Sequence, residues 1–281
     1  MSVPDGKVPI FQSVQATFTA WREGLVGTLP AAGLVALVAA GMTLLLGPSA
    51  ATNPMLGFVS QAVLGVAMAI FFAGVMGPTF GKPGGLNAGS VAGGLRVFGA
   101  MAVIGFFLLI VFVVAMIPGI AVFATALTPY MTQLEAAQGD PAATMTILQQ
   151  VMTENPAVFI LLGLIYGFVW MALTSRLFLA APASVDAGKV MSFDTWSWTK
   201  GNMLRIMAAR LLLLVPAFFV TVAVASILGP LFGVQAGVVA GVNPVILGAF
   251  AGVNGFVSTL IYSGLEARLA AFLHAGLRPR P

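Results

Sequence analysis

Four long stretches of the chain contain no acidic or basic side chain, and their lengths predict the number of membrane spans. They cover residues 24–81, 97–134, 155–175 and 211–265. One helical span needs about 20 predominantly apolar residues. The first and last stretches are long enough for two spans each, and each of the middle stretches holds one. The pattern therefore predicts six transmembrane helices.

Turn-forming residues mark where the two longest stretches divide. Gly, Pro and Asn occur together at positions 47–54 and 229–244, and such clusters are typical of turns. The predicted spans are residues 25–46, 55–76, 97–126, 157–180, 203–228 and 244–265. The predicted fold class is an all-α membrane protein, with residues 1–281 forming a single polytopic membrane domain.

Composition and charge placement support a membrane protein and predict its orientation. Only 7% of the residues are charged, against about 25% in soluble globular domains. All 12 basic residues fall in the terminal segments or around the loops after spans two and four, whereas the loop after span three carries only acidic charges. Basic residues accumulate on the cytoplasmic side of membrane proteins. The N- and C-termini are therefore predicted to be cytoplasmic.

Short segments before spans one, three and five are predicted to form cytoplasmic interfacial helices. In the first segment, apolar residues recur every three or four positions, as in an amphipathic helix: Phe11, Val14, Phe18, Trp21 and Leu25. The segments begin near residues 10, 84 and 191. Either the chain contains three repeats of an interfacial segment plus a membrane hairpin, or every hairpin requires such a segment to enter the membrane.

The outer loop, residues 128–156, carries signals for two short helices. Thr128-Pro129 and Asp140-Pro141 each combine a capping residue with proline, and Gly139 provides a stop between them. This loop is either a lid or docking site, or a covered connection between spans three and four.

Charged and strongly polar residues at membrane depth are functional candidates. Arg176 closes the third uncharged stretch, Arg210 lies inside span five, and Glu266 closes span six. Glu266 is a candidate partner of either arginine, and the alternative for each arginine is that its side chain snorkels to the interface. Asn254, near the middle of span six, either hydrogen-bonds a neighbouring helix or contacts a substrate or ion.

Basic and aromatic residues around the loop between spans four and five form a candidate site for anionic lipid headgroups. They are Arg176, Lys189, Trp196, Trp198, Lys200, Arg205 and Arg210. Trp is favoured at headgroup depth, and clustered Lys and Arg attract anionic lipid. The alternative is that these residues only set the topology, because a cytoplasmic loop requires the same charges.

Residue content excludes several other kinds of site. The chain has no Cys and a single His, His274. Disulfides, Cys-ligated metals and sites with several imidazole ligands from one chain are therefore excluded. The sequence carries no nucleotide-binding, metal-binding or paired-carboxylate pattern. It predicts no catalytic residue, no cofactor and no nucleic-acid partner.

A resemblance to a known family is carried by residues 175–183 (SRLFLAAPA), residues 197–202 (SWTKGN) and Arg205. They resemble the membrane-domain family that is attached to glycerophosphoryl diester phosphodiesterases and also occurs in stand-alone bacterial inner-membrane proteins. The resemblance implies a bacterial inner-membrane location and association with membrane lipid. It does not imply phosphodiesterase activity, because a catalytic barrel of roughly 250 residues does not fit in this chain beside six spans.

These observations together predict a non-enzymatic polytopic inner-membrane protein that is associated with anionic membrane lipids. Such a protein would organise the membrane or serve as a membrane subunit, with a protein partner or as a homo-oligomer. A transporter or lipid translocator is the alternative, and a membrane enzyme acting on lipid phosphodiesters is a third interpretation. A polar cavity joining Asn254 to Arg176 would favour transport, whereas a tightly packed apolar interior would favour the first function.

Overall fold

The secondary structure is helical throughout the part of the chain that the computed structural model describes, residues 7–50, 53–234 and 242–278. The α-helices are α1 (Ile10–Ala50), α2 (Pro54–Met76), α3 (Ala88–Leu127), α4 (Met131–Ala136), α5 (Pro141–Glu154), α6 (Pro156–Leu177), α7 (Ala180–Ala187), α8 (Met203–Leu231), α9 (Pro244–Ser258) and α10 (Gly264–Leu277). Three 3-10 turns, Gly77–Phe80, Thr128–Tyr130 and Asp194–Trp196, and one π-helical segment, Thr259–Ser263, complete the described elements.

Six helical segments of the described residues are long and apolar enough to cross a membrane. They are built on α1, α2, α3, α6, α8 and the combined α9 and α10. The prediction of an all-α fold with six membrane spans is therefore confirmed.

The predicted interfacial helices before spans one and three are not separate elements, which corrects the sequence prediction. α1 runs from Ile10, and α3 from Ala88, without interruption into the membrane span. Single glycines such as Gly24 and Gly27 cost a helix about 1 kcal/mol each but do not end it. Before span five, the segment forms a 3-10 turn and then a loop with Gly201 at φ 79°, so it contains no interfacial α-helix.

The apolar stripe predicted for the first turns of α1 lies only partly on the protein side: Val14 and Trp21 pack against a buried apolar cluster, whereas other members of the stripe are exposed. Ser13 and Thr17 are 0% and 1% exposed, whereas Phe11 and Phe18 are 78% and 52% exposed. In a lipid environment apolar side chains can face outward, and the protein side selects small residues that permit close helix packing. The lipid surroundings therefore account for the outward position of Phe11 and Phe18.

Helix starts follow the predicted turn signals. Asn53, Asp140 and Asn243 each accept a hydrogen bond from a backbone N–H of the following helix, at 3.0, 2.9 and 2.8 Å. A proline occupies the first turn of each of these helices, where a missing N–H costs nothing. The predicted starts of span two, of the second outer-loop helix and of span six are thereby confirmed. Residues 51–52 and 235–241 of the two predicted turns lie outside the described residues.

Span four ends earlier than predicted. α6 ends at Leu177, and the chain continues into α7, where residues 180–185 are buried. The side chain of Ser184 accepts a hydrogen bond from the backbone N–H of Met191 at 2.9 Å. The small side chains of α7 permit this close packing. The connection between spans four and five is thus partly inside the protein.

The chain forms two compact units. One comprises Met1–Val103 with Ser175–Pro281, and the other is Ile104–Thr174. The first unit has two buried apolar clusters, one built mainly from α1, α2 and α10, and one built mainly from α8 and α10. Because α10 contributes to both clusters, it is the element that ties this unit together.

The second unit has a small core of its own beneath the outer loop. Tyr130, Ile147 and Val151 are all less than 9% exposed and pack together. In the same unit, the Tyr166 hydroxyl donates a hydrogen bond to the Ala115 carbonyl oxygen at 2.9 Å. The two predicted outer-loop helices are therefore present and packed, whichever role the loop has.

Candidate functional site

Arg176 holds the connection that we call the basic loop, residues 188–204, against the end of α6. Its Nη1 atom donates to the Trp196 carbonyl oxygen at 3.4 Å, and its guanidinium lies 5.2 Å from the centroid of the Trp196 ring. In return, the Thr199 hydroxyl donates to the Arg176 carbonyl oxygen at 3.2 Å. These contacts give Arg176 and Trp196 a structural role at the start of the site.

Glu266 forms an ion pair with Arg210, which is one of the two arginines predicted as its partner. Arg210 Nη2 lies 3.6 Å from Glu266 Oε1, and Arg210 Nη1 donates to the Ser175 hydroxyl oxygen at 3.2 Å. The guanidinium also lies 4.6 Å from the centroid of the Phe178 ring. The pair joins α8 to α10 and brings the end of α6 to both, so it connects three helices through one buried cation.

The remaining cations of the predicted lipid site lie on the surface of the basic loop or next to it. Lys189 and Lys200 are exposed, and neither side chain forms a hydrogen bond or ion pair in the described ranges. Arg205 is exposed as well, but its Nη1 atom donates to the Val8 carbonyl oxygen at 3.2 Å. The Val8 amide in turn donates to Asn202 Oδ1 at 2.8 Å. Arg205 thus helps to fix the N-terminal segment.

Trp198 belongs to a polar cluster around His274 that sequence reasoning missed. The Trp198 and His274 ring centroids are 5.5 Å apart, and Phe80 meets the imidazole edge-on at 5.4 Å. His274 Nε2 and Asp186 Oδ2 are 3.1 Å apart, and Asp186 also accepts from Arg278 Nη1 at 2.5 Å. The available sequence signals were that His274 is the only histidine and that Asp186 is an acid within a basic region.

Lys82 connects the loop after α2 to the same cluster. Its Nζ atom donates to the backbone carbonyl oxygens of Val185 and Asp186, the latter at 3.1 Å. Both carbonyls lie in the last turn of α7, where orphan carbonyl groups favour a cation. The cluster therefore ties together the loop after α2, the C-terminal end of α7 and the C-terminal end of α10.

Asn254 lies in α9 without the interhelical hydrogen bond that was one interpretation of its position. Its Oδ1 atom is buried and has no hydrogen-bond partner among the described residues. Neighbouring glycines bring α9 close to α1, since a Cβ atom at Gly252 would lie 3.1 Å from the Ala40 Cβ atom. The Asn254 side chain thus has one buried oxygen without a partner, in a helix that packs closely on α1.

A π-helical segment, Thr259–Ser263, separates Asn254 from Glu266 within span six. The Trp21 indole N–H of α1 donates to the Leu260 carbonyl oxygen at 2.7 Å. π-helical turns inside α-helices are rare and are frequent at functional sites. No sequence signal indicated this segment.

A cavity of about 500 Å³ lies between α1, the loop after α2 and α10. Its lining includes Glu23, Gly24, Gly27, Thr28, Gly85 and Arg268. Neither Asn254 nor Arg176 lines it, so it is not the polar passage that would have favoured transport. Sequence reasoning did not single out Glu23 or Arg268, although Glu23 directly precedes the first uncharged stretch and Arg268 lies three residues after the last one.

The described residues contain no group of three or more His, Cys, Asp or Glu side chains placed to hold a metal ion. The acid–base pair of Asp186 and His274 is also poorly placed for chemistry, since His274 is only 2% exposed and is enclosed by aromatic rings. The polar contacts of this site therefore serve mainly to join helices.

Searches for similar proteins found no matching protein-family model, no matching curated protein and no matching solved structure. The fold alone therefore defines the class. The chain is a polytopic α-helical membrane protein, with six segments of its described part long and apolar enough to cross the bilayer.

Proposed function

We propose that this chain is a non-enzymatic protein of the bacterial inner membrane, with both termini cytoplasmic, that binds anionic lipid at its basic loop. Through that contact it organises the membrane or acts as the membrane subunit of a partner. One observation supports the lipid contact. The side chains of Lys189 and Lys200 are exposed, form no hydrogen bond or ion pair in the described ranges, and belong to a loop that also exposes apolar residues. Val190, Phe193 and Leu204 are 50%, 41% and 57% exposed.

The charged residues elsewhere in the site support a binding protein over an enzyme. Arg176, Arg210 and Lys82 are committed to contacts within the chain. A catalytic acid or base must reach the substrate within hydrogen-bond distance. The buried His274 offers no such access in the described structure, and Glu266 is held by Arg210.

The resemblance to membrane domains of glycerophosphoryl diester phosphodiesterases supports the same proposal. The residues that carry it include Arg176 and Thr199, which fix the basic loop on α6. A loop held in this way presents its lysines at a constant place, which favours recognition of a headgroup over a purely diffuse attraction.

The test measures binding of phosphatidylglycerol to the full chain in nanodiscs, with the bound lipid counted by native mass spectrometry. Each basic residue near an anionic surface contributes about 1 kcal/mol, so Lys189→Gln with Lys200→Gln should weaken binding roughly 30-fold. The matched control is Lys7→Gln with Arg22→Gln, which removes two exposed cations elsewhere. Equal losses in the two double variants would reject a specific site at the basic loop.

The proposed orientation has a direct test because the chain contains no Cys. Thr146→Cys in α5 and Ser197→Cys in the basic loop each introduce one exposed thiol. A membrane-impermeant maleimide applied to intact spheroplasts should label only the cysteine at position 146. Labelling of only the cysteine at position 197 would reverse the orientation.

A second candidate function, lipid translocation or transport, is favoured by the π-helical segment together with Asn254. Asn254 has an unsatisfied buried oxygen about one turn before the π-helical segment. Such segments are frequent at functional sites, and polar groups within membrane spans often mark a substrate pathway. Scrambling of fluorescent phospholipid across proteoliposomes, lost in Asn254→Leu but kept in Ser226→Ala, would favour this function. Proteoliposomes without scrambling above the protein-free rate would leave the first proposal in place.

A further inference from the structure

Glycines bring the loop after α2 close to α1 and α2 beside the cavity between α1 and α10. Gly85 has φ 73°, and a Cβ atom there would lie 2.7 Å from the Gly27 carbonyl oxygen. A Cβ atom at Gly74 would lie 2.5 Å from the Gly85 carbonyl oxygen. The loop after α2 can approach α1 and α2 this closely only because these positions lack side chains. The cavity has a volume of about 500 Å³, which lies within the range of small-molecule sites.

Arg268 enters this cavity as a cation that the protein leaves without a partner. Its side chain is partly buried, and it forms no hydrogen bond or ion pair with any residue of the described ranges. Its Nη2 atom lies so close to α1 that a Cβ atom at Gly24 would be 2.1 Å away. A guanidinium has five N–H donors in a fixed plane, and burial without acceptors costs free energy. The buried Arg210 is by contrast paired with Glu266.

Glu23 supplies the opposite charge in the same cavity without neutralising Arg268. Both residues line the cavity, yet they form no ion pair with each other. The Thr28 hydroxyl is committed to the Leu25 carbonyl oxygen at 2.7 Å. The cavity thus carries an exposed carboxylate and a partly buried guanidinium that are not paired with each other.

The depth of the cavity matches the headgroup level of a bilayer. Glu23 directly precedes the first uncharged stretch, and Arg268 follows the last one by three residues. Ionised side chains at such boundaries lie where lipid phosphates and ammonium groups lie. No aromatic side chain is among the described residues that line the cavity, whereas quaternary ammonium groups are recognised by aromatic cages.

We propose that this cavity binds the zwitterionic headgroup of a phospholipid that carries a phosphate and a primary ammonium, as phosphatidylethanolamine does. The Arg268 guanidinium binds the phosphate through paired N–H donors, and the Glu23 carboxylate accepts hydrogen bonds from the ammonium. The glycines of α1 and of the loop after α2 admit the headgroup. This site is separate from the basic loop and does not depend on the function proposed for that loop.

The experiment titrates short-chain phosphatidylethanolamine into the full chain in detergent and follows binding by calorimetry. Arg268→Gln should weaken binding by about 10-fold or more, because hydrogen bonds to a charged group are lost. Arg268→Lys keeps the charge without the planar fork and should restore part of the affinity. Glu23→Gln should weaken binding of phosphatidylethanolamine and change binding of phosphatidylglycerol by less than about 2-fold.

Two further variants separate the site from folding and from the basic loop. Gly24→Ala keeps every charge but displaces the Arg268 guanidinium, and it should weaken binding while circular dichroism stays unchanged. The double variant Lys189→Gln with Lys200→Gln should leave binding of phosphatidylethanolamine unchanged. If that variant weakens binding as strongly as Arg268→Gln does, the ligand binds at the basic loop and the cavity proposal is wrong.

Competing ligands identify what is recognised. Phosphoethanolamine should compete weakly and inorganic phosphate more weakly still, since each lacks part of the ligand. Inorganic phosphate that competes as well as the lipid would show a simple phosphate site and overturn the proposal. Short-chain phosphatidylcholine or phosphatidylglycerol bound as tightly as phosphatidylethanolamine would overturn the assignment of the ammonium to Glu23.

Discussion

Removal of the buried cation Arg210 should destabilise the first unit because it leaves Glu266 without its partner. The Arg210 and Glu266 side chains are 11% and 23% exposed, and the closest pair of their charged atoms is 3.6 Å apart. Arg210→Met keeps most of the volume of the aliphatic stem. What it removes is the charge, the hydrogen bond to Ser175 and the contact of the guanidinium with the Phe178 ring.

The expected size of this effect follows from that geometry. Breaking a buried ion pair typically costs about 3–5 kcal/mol, since an uncompensated charge is left behind. The 3.6 Å separation and the partial exposure of Glu266 place the loss near the lower end, at about 3 kcal/mol. Adding Glu266→Gln removes the orphaned charge, and we expect the double variant to recover about 1–2 kcal/mol of that loss.

The assay is reversible unfolding of the purified chain in mixed micelles with increasing dodecyl sulfate, followed by tryptophan fluorescence. The chain has four tryptophans, and Trp196 and Trp198 lie in the same unit as the pair. Lys189→Gln is the matched control, because loss of an exposed cation should change the free energy of unfolding by less than about 0.5 kcal/mol. If Arg210→Met unfolds like this control, or if the double variant is no more stable than Arg210→Met, the reasoning is refuted.

Three further variants test other contacts of the fold. Trp21→Phe removes the indole donor to the Leu260 carbonyl oxygen and should cost about 1 kcal/mol, with faster amide exchange confined to the π-helical segment. Gly94→Ala places a Cβ atom 2.6 Å from Ile70 Cα and should cost about 1–3 kcal/mol in the same unfolding assay. Hydrogen bonds from Tyr130 and Gln150 lower the pKa of Glu154. The stability that these bonds give to the folded state is therefore present above the ordinary carboxylate pKa of about 4.3, and it is lost as pH falls through the lowered pKa. Amide exchange of α5, corrected for the intrinsic pH dependence of exchange, should therefore accelerate on acidification in the native chain but not in Glu154→Gln.

Each of these variants has a control within the chain. Trp170→Phe alters a tryptophan of α6 and should leave exchange of the π-helical segment unchanged. Gly105→Ala adds a Cβ atom with nothing within 4 Å, and a loss as large as that of Gly94→Ala would show that the close approach to α2 is not the cause. For the acidic effect, equal acceleration in the native chain and in Glu154→Gln would assign the pH dependence to another group.

The function that the sequence predicts and the sites that the structure presents agree only in part. Lys189 and Lys200 remain exposed cations on a defined loop, as a lipid-binding surface requires. Arg176, Arg205 and Arg210 belong to the same predicted cluster, yet they make contacts that hold the protein together. A list of basic residues could not separate these two groups, because both occur at the same side of the spans.

The sequence by itself determined the number of spans and where most of them begin. An uncharged stretch of sufficient length must leave water, and this property is set by consecutive residues. The same locality explains the caps at Asn53, Asp140 and Asn243, since each side chain bonds an amide two or three residues ahead. Such features need no knowledge of the remaining chain.

Only the tertiary structure decided which polar groups meet. Asp186 and His274 are 88 positions apart in sequence, and nothing local to either residue indicates the other. Glu266 pairs with Arg210, while Arg268, on the same helix, is left facing the cavity beside Glu23. The choice depends on how α1, α8 and α10 pack against one another, and in lipid this packing is decided by small residues and close backbone approach, which hydrophobic periodicity does not encode.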